Sequence, residues 1–341
     1  MPFSDLSETE LYAKFATLPK PDYPFPFQSN PATEELVQEY YRWIDEDYEF
    51  HSNKARAQHK SHRLSDFPAL SMPHLTLAEL RPVARYAASG AMMDDYYDRC
   101  TPDEMDQIRL RIVALLVGED GTEPAPGIDR QFYMLRKEAM ACGMPDHLYA
   151  NFIKAVDGVL IGYREEKRWV ARNEPPPVAV YWVIRENTSG ALPFAKYTCM
   201  QKNFRALPHL VLDDPMILRL HQLASRMVGI HNDLTSLPKE LARDGDVINL
   251  VLCLQHEKKI STDDAYLMAL ELHNGFLEDF LTIRDNLPNF GQWQDMVIDY
   301  VDHLGIMVRG LYRYHEISTR YKAGSYVDPE YQSPEFTWIR P

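Results

Sequence analysis

Three oxygen-bearing side chains recur at four-residue steps in the stretch NDLTSLPKE, residues 232–240. The apolar spacing before this stretch predicts a helix, so Asn232, Ser236 and Glu240 would lie on one face of it. Amide, hydroxyl and carboxylate oxygens are hard ligands, which an octahedral cation such as Mg²⁺ prefers. Lys239 lies beside them and would meet a phosphate bridged by that metal. Taken alone, the stretch would favour a simpler interpretation, a solvated helix face.

A second acidic cluster, DDYYD, ends a long apolar run. Asp94 and Asp98 are one helical turn apart, on the same face. Carboxylates near the carboxyl end of a helix are unfavourable without a counter-charge, because the helix dipole is negative there. A bound divalent cation would relieve the repulsion. A solvent-facing acidic helix end is the simpler alternative for this cluster alone.

Small residues stand behind both clusters. Ala87 and Gly90 precede the acidic cluster, and Ser225 and Gly229 precede the NDLTSLPKE stretch. Small side chains at these positions are what two facing helices need if they enclose a cavity. They would equally allow close contact between helices, so the pattern leaves both arrangements open.

The elements that position these residues are all predicted to be helices. No run of alternating short strands and no internal repeat is present, so we expect an all-α fold of about ten or more helices without a clear domain boundary. Residues 51–66 are polar and basic and are interpreted as a connection. The predicted helices cover residues 33–50, 76–100, 103–117, 129–141, 146–172, 178–187, 215–243, 247–258, 262–286 and 291–316.

The first part of the chain has a different character. Residues 18–32 hold five prolines between aromatic residues, so they cannot form a helix and are predicted to lie extended across the surface. We therefore expect a Pro- and aromatic-rich N-terminal strap (residues 1–32), an α-helical domain (residues 33–322) and a C-terminal tail (residues 323–341).

Composition excludes several classes of function. The formal net charge of −14 argues against a general nucleic-acid or anionic-membrane surface, since either needs basic patches. The four cysteines have no paired spacing and are interpreted as reduced thiols of a cytosolic protein. We find no secretory signal and no run of roughly 20 apolar residues. The expectation is a soluble, cytoplasmic protein without stable membrane insertion.

The order of these motifs resembles the class I terpene synthases of the microbial type. DDYYD is followed about 135 residues later by NDLTSLPKE, which meets every position of the family pattern (N/D)Dxx(S/T)xx(K/R)(E/D). Arg320 and Tyr321 resemble the terminal Arg-Tyr pair of the family. Arg185, Thr188 and Ser189 resemble its diphosphate-sensing arginine, linker and effector positions at a helix break.

The resemblance implies a single-domain helical bundle around a deep apolar active-site cavity, three Mg²⁺ ions and a prenyl diphosphate substrate whose ionisation starts a carbocation cascade. It is compatible with a homodimer. The implied metal ligands are Asp94 and Asp98 on one wall and Asn232, Ser236 and Glu240 on the other. The implied diphosphate ligands are Arg185, Lys239, Arg320 and Tyr321. Aromatic candidates for contact with the cation are Phe67, Tyr181, Trp182 and Tyr314.

The sequence departs from the family at two positions on the last helix. Many relatives carry tryptophan where Tyr314 stands, and another tryptophan where Met307 stands. These departures leave the metal and diphosphate assignments unchanged, but they prevent any transfer of pocket shape and product. Arg313-Tyr314 is a second Arg-Tyr pair near the right distance, and SxRY matches Arg320-Tyr321 better.

The favoured function is a terpene cyclase (a carbon-oxygen lyase acting on phosphates) that converts farnesyl diphosphate to a sesquiterpene. One alternative is a diterpene cyclase that uses geranylgeranyl diphosphate. A chain-elongating prenyltransferase would show two aspartate-rich clusters, whereas the second cluster here is of the Asn/Ser/Glu type. A helical, non-catalytic interaction protein with solvated acidic rims is the alternative from another class.

Overall fold

The computed structural model describes residues 6–48, 50, 52–97, 100–119, 121–242 and 246–324, with the backbone alone for residues 94–96. Fifteen α-helices and no β-strand occur in these ranges, which confirms the all-α prediction. The helices are α1 (Glu8–Ala16), α2 (Thr33–Asp47), α3 (Asn53–Ser61), α4 (Asp66–Ser71), α5 (Leu77–Tyr97), α6 (Pro102–Val117), α7 (Ile128–Ala141), α8 (Asp146–Val170), α9 (Val178–Thr188), α10 (Ala191–Tyr197), α11 (His209–Leu212), α12 (Pro215–Leu241), α13 (Leu250–Lys258), α14 (Thr262–Asp285) and α15 (Gln294–Ile317).

Five short helices, α1, α3, α4, α10 and α11, lie where the sequence predicted none. Helix α3 forms within the stretch interpreted as a connection, and the Ser52 hydroxyl caps it by accepting from the Ala55 N–H. Helix α1 forms within the predicted strap and begins with a capping box between Ser7 and Glu10. Such caps satisfy N–H groups that have no partner inside the helix, so they start helices too short to show apolar periodicity.

The proline-rich segment, residues 18–32, forms no helix, as its prolines predicted. It is more deeply anchored than a surface strap, because Tyr23 and Asn30 are both buried. The Tyr23 hydroxyl lies 2.7 Å from Nδ1 of His231 and 2.6 Å from Nε2 of His273. Phe25 packs against Gly305, where an added Cβ would lie 2.5 Å from the phenyl ring. The segment therefore fills a groove between α12, α14 and α15.

Helix α12 is the central element. It packs against α14, α15, α10 and α9, and sixteen of its residues are buried. Helix α5 packs against α7, α4 and α2. Gly310 lets α15 approach the backbone of α4 at Leu70 and Ser71, since any side chain there would collide with that backbone. None of the described helices is long and apolar enough to cross a bilayer.

Candidate active site

A cavity lies between α5, the α9–α10 junction, α12 and α15. Its apolar wall is formed by Phe67, Tyr86, Ala87, Phe194, Val228 and Leu311. Polar side chains lie together on its border, and they are Arg185, Thr188, Asn232, His315, Arg320 and Tyr321. The cavity thus combines an apolar lining with a cationic and hydrogen-bonding border.

The α5 wall carries the small residues predicted from the sequence. Ala87 and Gly90, which the sequence singled out, line the cavity together with Ala91, so small side chains leave space on this wall. Asp94 belongs to α5, one turn beyond Gly90, and its side chain lies outside the description. Asp98 also lies outside the described residues, so the predicted ligand role of this cluster stays a prediction.

The α9–α10 junction is a sharp helix break. Gly190 has φ +67°, in the left-handed region, which lets α10 start directly after α9 ends. The Tyr86 hydroxyl donates to the Gly190 carbonyl at 3.0 Å and ties the break to α5. Thr188 and Ser189 lie at this break and line the cavity, as does Arg185 one turn earlier. The structure therefore brings the three predicted positions to one wall.

The small residues of α12 allow this helix to pack closely against α9 and the helix break that follows it. An added Cβ at Gly229 would lie 3.4 Å from Arg185 Cγ and from Ser189 Cβ. The Ser225 and Ser189 hydroxyls are 2.9 Å apart. Of the two arrangements that the sequence left open, close helix packing applies to α12 and an open cavity to α5.

Arg185 joins α9 to the predicted metal-binding face of α12. Its Nη2 donates to Asn232 Oδ1 at 2.6 Å and to Asp233 Oδ1 at 2.5 Å. The other oxygen of Asp233 accepts from the Tyr181 hydroxyl at 2.6 Å and from the Leu250 N–H at 2.7 Å. Burial raises the pKa of Asp233, and the charge of Arg185 opposes that rise. Sequence reasoning had assigned no role to Asp233, although it occupies the second position of the motif.

The amide nitrogen of Asn232 reaches the carboxyl-terminal part of the chain. It donates to His315 Nε2 at 3.2 Å and to the Tyr321 hydroxyl at 3.0 Å. Burial, followed by the charges of Arg185 and Arg320, lowers the pKa of His315 to about 3, so the imidazole is neutral. Sequence reasoning missed His315, because a single histidine beside an Arg-Tyr pair carries no spacing signal.

The remaining predicted ligands continue along α12. Ser236 is buried, and Glu240 Oε2 accepts from Asn249 Nδ2 at 2.6 Å. Burial raises the pKa of Glu240 to about 7, and the carboxylates of Asp246 and Asp233 add to the rise. Hard oxygen donors with a surplus of buried negative charge suit a divalent cation. Within the described residues no group of three or more His, Cys, Asp or Glu side chains is placed to hold a metal ion.

The turn that carries Arg320 and Tyr321 is anchored to the loop after α3. Residues Thr319–Tyr321 form one 3₁₀ turn, which begins at Ser318. The Ser318 hydroxyl donates to the His62 carbonyl at 3.0 Å and accepts from the Arg320 N–H at 3.2 Å. This anchor places both predicted diphosphate ligands on the cavity border.

Lys239 is half-buried on α12, between Ser236 and Glu240 in sequence.

The aromatic candidates divide into two groups. Phe67 lines the cavity, and the centroid of its ring lies 3.6 Å from the centroid of the Tyr314 ring. Tyr314 lies behind Phe67, and its hydroxyl donates to the His62 carbonyl. Tyr181 donates to Asp233, and Trp182 packs against Phe276, so these two rings also lie behind the wall. The sequence predicted that Tyr181, Trp182 and Tyr314 would contact the substrate cation, and these three rings are not part of the cavity lining. Rings that line the cavity but escaped sequence reasoning are Tyr86, Tyr163 and Phe194.

The chain is similar in sequence to a family model and to known proteins over most of its length. Residues 85–279 match the family model described as "Terpene synthase family 2, C-terminal metal binding". The chain is 25% identical over 283 residues to (+)-germacrene D synthase of Selaginella moellendorffii, covering 80% of this chain and 81% of that protein. It is 22% identical over 309 residues to germacrene A synthase of Nostoc punctiforme, covering 86% and 94%.

The fold is similar to that of solved enzymes. Germacradien-4-ol synthase from Streptomyces citricolor superposes with a TM-score of 0.72 and 19% identity, covering 87% of this chain and 98% of that chain. Linalool/nerolidol synthase from Streptomyces clavuligerus gives a TM-score of 0.74 and 21% identity, covering 86% and 100%. Because the family match spans more than half of the residues, this chain belongs to the terpene synthase family and has its class I helical fold.

Proposed function

We propose that this protein is a Mg²⁺-dependent terpene cyclase that ionises farnesyl diphosphate, cyclises the carbocation to a sesquiterpene and releases diphosphate. The observation that carries the proposal is the contact between Arg185 and Asn232, 2.6 Å apart on the border of an apolar cavity. A phosphate-binding cation and a hard metal ligand thus meet where the diphosphate of a substrate with an apolar chain would lie.

The metal would be held by Asn232, Ser236 and Glu240 on α12 and by Asp94 and Asp98 on the α5 side. When bound, Mg²⁺ supplies positive charge that neutralises the leaving diphosphate. Three ions are the number that the family resemblance implies.

The remaining charge on the diphosphate would be met by side chains on the cavity border. Arg185 Nε and Thr188 Oγ1 are buried, and neither has a hydrogen-bond partner among the described residues. An unpaired buried donor is costly unless a ligand satisfies it, so both atoms are suited to diphosphate oxygens. Arg320, Lys239 and Tyr321 would complete this set, since guanidinium groups match phosphate geometry and Lys supplies a point charge.

The apolar wall would serve the carbocation. Phe67, Tyr86 and Phe194 present aromatic rings to the cavity. An aromatic face stabilises a nearby cation by about 0.5–2 kcal/mol. The same apolar lining keeps water away from the reactive intermediate.

Relatives support a C15 substrate. Sesquiterpene synthase 9 of Postia placenta is 25% identical over 291 residues, covering 83% of this chain and 82% of that protein. Geranylgeranyl diphosphate, with a diterpene product, is the alternative that the assay must separate.

The test is incubation of the purified protein with geranyl, farnesyl and geranylgeranyl diphosphates, with Mg²⁺ or with a chelator, and analysis of the extract by gas chromatography and mass spectrometry. We expect a cyclic C15 product from farnesyl diphosphate that requires Mg²⁺. Failure to release any metal-dependent product from the three substrates would overturn the proposal. Mg²⁺ and inorganic diphosphate together should also raise the melting temperature, since both bind the folded state.

A hydroxyl-deletion pair on α12 tests the site. Ser236→Ala removes a proposed metal ligand and should lower turnover by about 10²-fold or more. Thr235→Ala is the matched control, because the Thr235 hydroxyl donates to the His231 carbonyl at 2.7 Å and takes no part in the proposed site. Equal losses in the two variants would contradict the assignment of Ser236.

A further inference from the structure

The side-chain amide of Asn232 is held at both ends. Its oxygen accepts from Arg185 Nη2 at 2.6 Å, and its nitrogen donates to His315 Nε2 at 3.2 Å and to the Tyr321 hydroxyl at 3.0 Å. A guanidinium can only donate, so the amide atom that faces Arg185 must be the oxygen. The nitrogen therefore faces His315 and Tyr321.

This orientation decides whether Asn232 can bind metal. The two ends of an amide have nearly the same shape, and a half-turn about the last side-chain bond exchanges oxygen for NH₂. Only the oxygen is a ligand for a hard cation. The metal side of α12 is the helix face that carries the proposed ligands Asn232, Ser236 and Glu240. A flipped Asn232 would present two N–H donors to this side.

The three partners differ in how well they select one orientation. The Tyr321 hydroxyl can donate or accept, so it tolerates either end of the amide. The Arg185 guanidinium is shared with Asp233 and is proposed to bind the substrate diphosphate as well. His315 Nε2 accepts from an amide N–H here, so it carries a lone pair and no proton. The NH₂ end of the Asn232 amide donates to this lone pair, whereas the oxygen end is repelled by it.

The ring of His315 is well placed to keep this lone pair in position. The side chain is 3% exposed. Its ring packs edge-on against Phe67, with centroids 5.6 Å apart, and against Tyr321, with centroids 4.8 Å apart. The ring of His231 lies 4.9 Å away on another side. Packing on three sides leaves the imidazole little freedom to turn away from Asn232.

We propose that His315 is a positioning residue, whose Nε2 lone pair holds the Asn232 amide so that its oxygen faces the metal side of α12. The inference rests on the proposed function, because it assigns His315 a role toward the metal ligand Asn232. It matters most when substrate is bound, since Arg185 and Tyr321 are then shared between the amide and the diphosphate, whereas His315 contacts the amide without such sharing.

The test compares metal binding in two backgrounds. His315→Phe keeps an aromatic ring among its neighbours and removes the acceptor. Mg²⁺ titration in the presence of inorganic diphosphate, followed by calorimetry and by melting temperature, gives the affinity without turnover. We expect about a 10-fold or greater loss of Mg²⁺ affinity, the usual effect of removing an outer partner of a metal ligand. The activity of His315→Phe should be closer to that of the unaltered protein at saturating Mg²⁺ than at low Mg²⁺.

Asn232→Asp supplies the second background. A carboxylate has two equivalent oxygens and needs no orienting acceptor, so adding His315→Phe to Asn232→Asp should change Mg²⁺ affinity by less than about 3-fold. A packing role for His315 predicts the same loss in both backgrounds, and that result would overturn the inference. So would Mg²⁺ affinity within about 2-fold of the unaltered protein when His315→Phe is introduced alone.

A further variant covers loss of folding. His315→Gln can present an amide oxygen to Asn232 and should retain most of the affinity. If His315→Phe does not fold, His315→Leu, which also lacks the acceptor, takes its place in the same cycle. Absence of Mg²⁺ binding in the unaltered protein would reject the proposed function, whereas binding that His315→Phe leaves intact would reject this inference alone.

Discussion

Arg185 and Asp233 form a buried ion pair, with Nη2 of the arginine 2.5 Å from Oδ1 of the aspartate. The side chain of Asp233 is 1% exposed and that of Arg185 is 12% exposed, so neither charge is solvated well. The pair joins the helix break after α9 to the proposed metal-binding face of α12. Asp233 also accepts from the Leu250 N–H, so this side chain bonds both α9 and the start of α13.

Asp233→Asn should destabilise the fold by about 3 kcal/mol. It leaves the charge of Arg185 buried without a counter-charge, which costs about 3–5 kcal/mol in comparable pairs. Urea denaturation measures the change. Asp279→Asn is the control, since Asp279 is 59% exposed and 3.8 Å from Arg219, and it should stay within about 0.5 kcal/mol. A loss no larger than that of the control would mean that the ion pair contributes little.

Arg185→Lys should lower kcat/KM by about 10²-fold or more. Lysine keeps the charge but cannot donate to Asn232, Asp233 and a diphosphate oxygen together. Steady-state kinetics with farnesyl diphosphate measures the effect. Arg226→Lys is the control, because Arg226 Nε bonds Glu186 at 2.6 Å and the residue is not part of the cavity lining. Comparable losses in both variants would count against a specific role for Arg185.

Two helical glycines give opposite predictions. Gly310→Ala would push a Cβ into the Leu70 carbonyl and should destabilise the fold by about 3 kcal/mol through overpacking. Gly275→Ala on α14 meets no atom within 4 Å and should stabilise by about 0.5–1 kcal/mol, because alanine loses less backbone entropy. Denaturation midpoints measure both changes. Similar midpoints for the two variants would contradict the close contact of α15 with α4.

Tyr23→Phe should destabilise the fold by about 1–3 kcal/mol. The variant removes the hydroxyl that bridges His231 and His273, and both ring nitrogens would remain buried without that partner. Tyr133→Phe is the control, since its hydroxyl makes a long, exposed bond of 3.4 Å to the Gly121 carbonyl. Melting temperatures separate the two, and an unchanged value for Tyr23→Phe would show that the strap is held by packing alone.

Acidification should destabilise the protein through His273. Burial lowers the pKa of His273 to about 4, below the ordinary value of about 6.5 that applies in the unfolded chain. Between these values the unfolded state binds more protons, so the free energy of unfolding falls as the pH falls from 7 to 5. The contribution of His273 is about 2 kcal/mol. Burial also lowers the pKa of His221 well below its usual range, which acts in the same direction.

His273→Gln isolates this contribution from the other titrating groups. The loss of stability between pH 7 and pH 5, measured by urea denaturation, should be about 2 kcal/mol smaller in the variant. An identical pH dependence in both proteins would show that His273 does not titrate as its burial requires.

The amino-acid sequence by itself determined the features that depend on neighbours along the chain. Apolar residues at helical spacing were enough to predict the all-α fold and most long helices. Prolines were enough to exclude a helix from residues 18–32. Helix geometry alone places Asn232, Ser236 and Glu240 on one face, because a helical turn is a local repeat. The family resemblance, carried by the same local motifs, was confirmed by the family match.

Contacts between distant segments were decided only by the tertiary structure. His315 lies 83 residues beyond Asn232, and its contact depends on how α15 packs against α12. The partner of Arg185 and the exclusion of Tyr181 from the cavity wall depend in the same way on the packing of α9. Side-chain direction at a helix contact is set by the crossing of two helices, and no single stretch of sequence specifies that crossing.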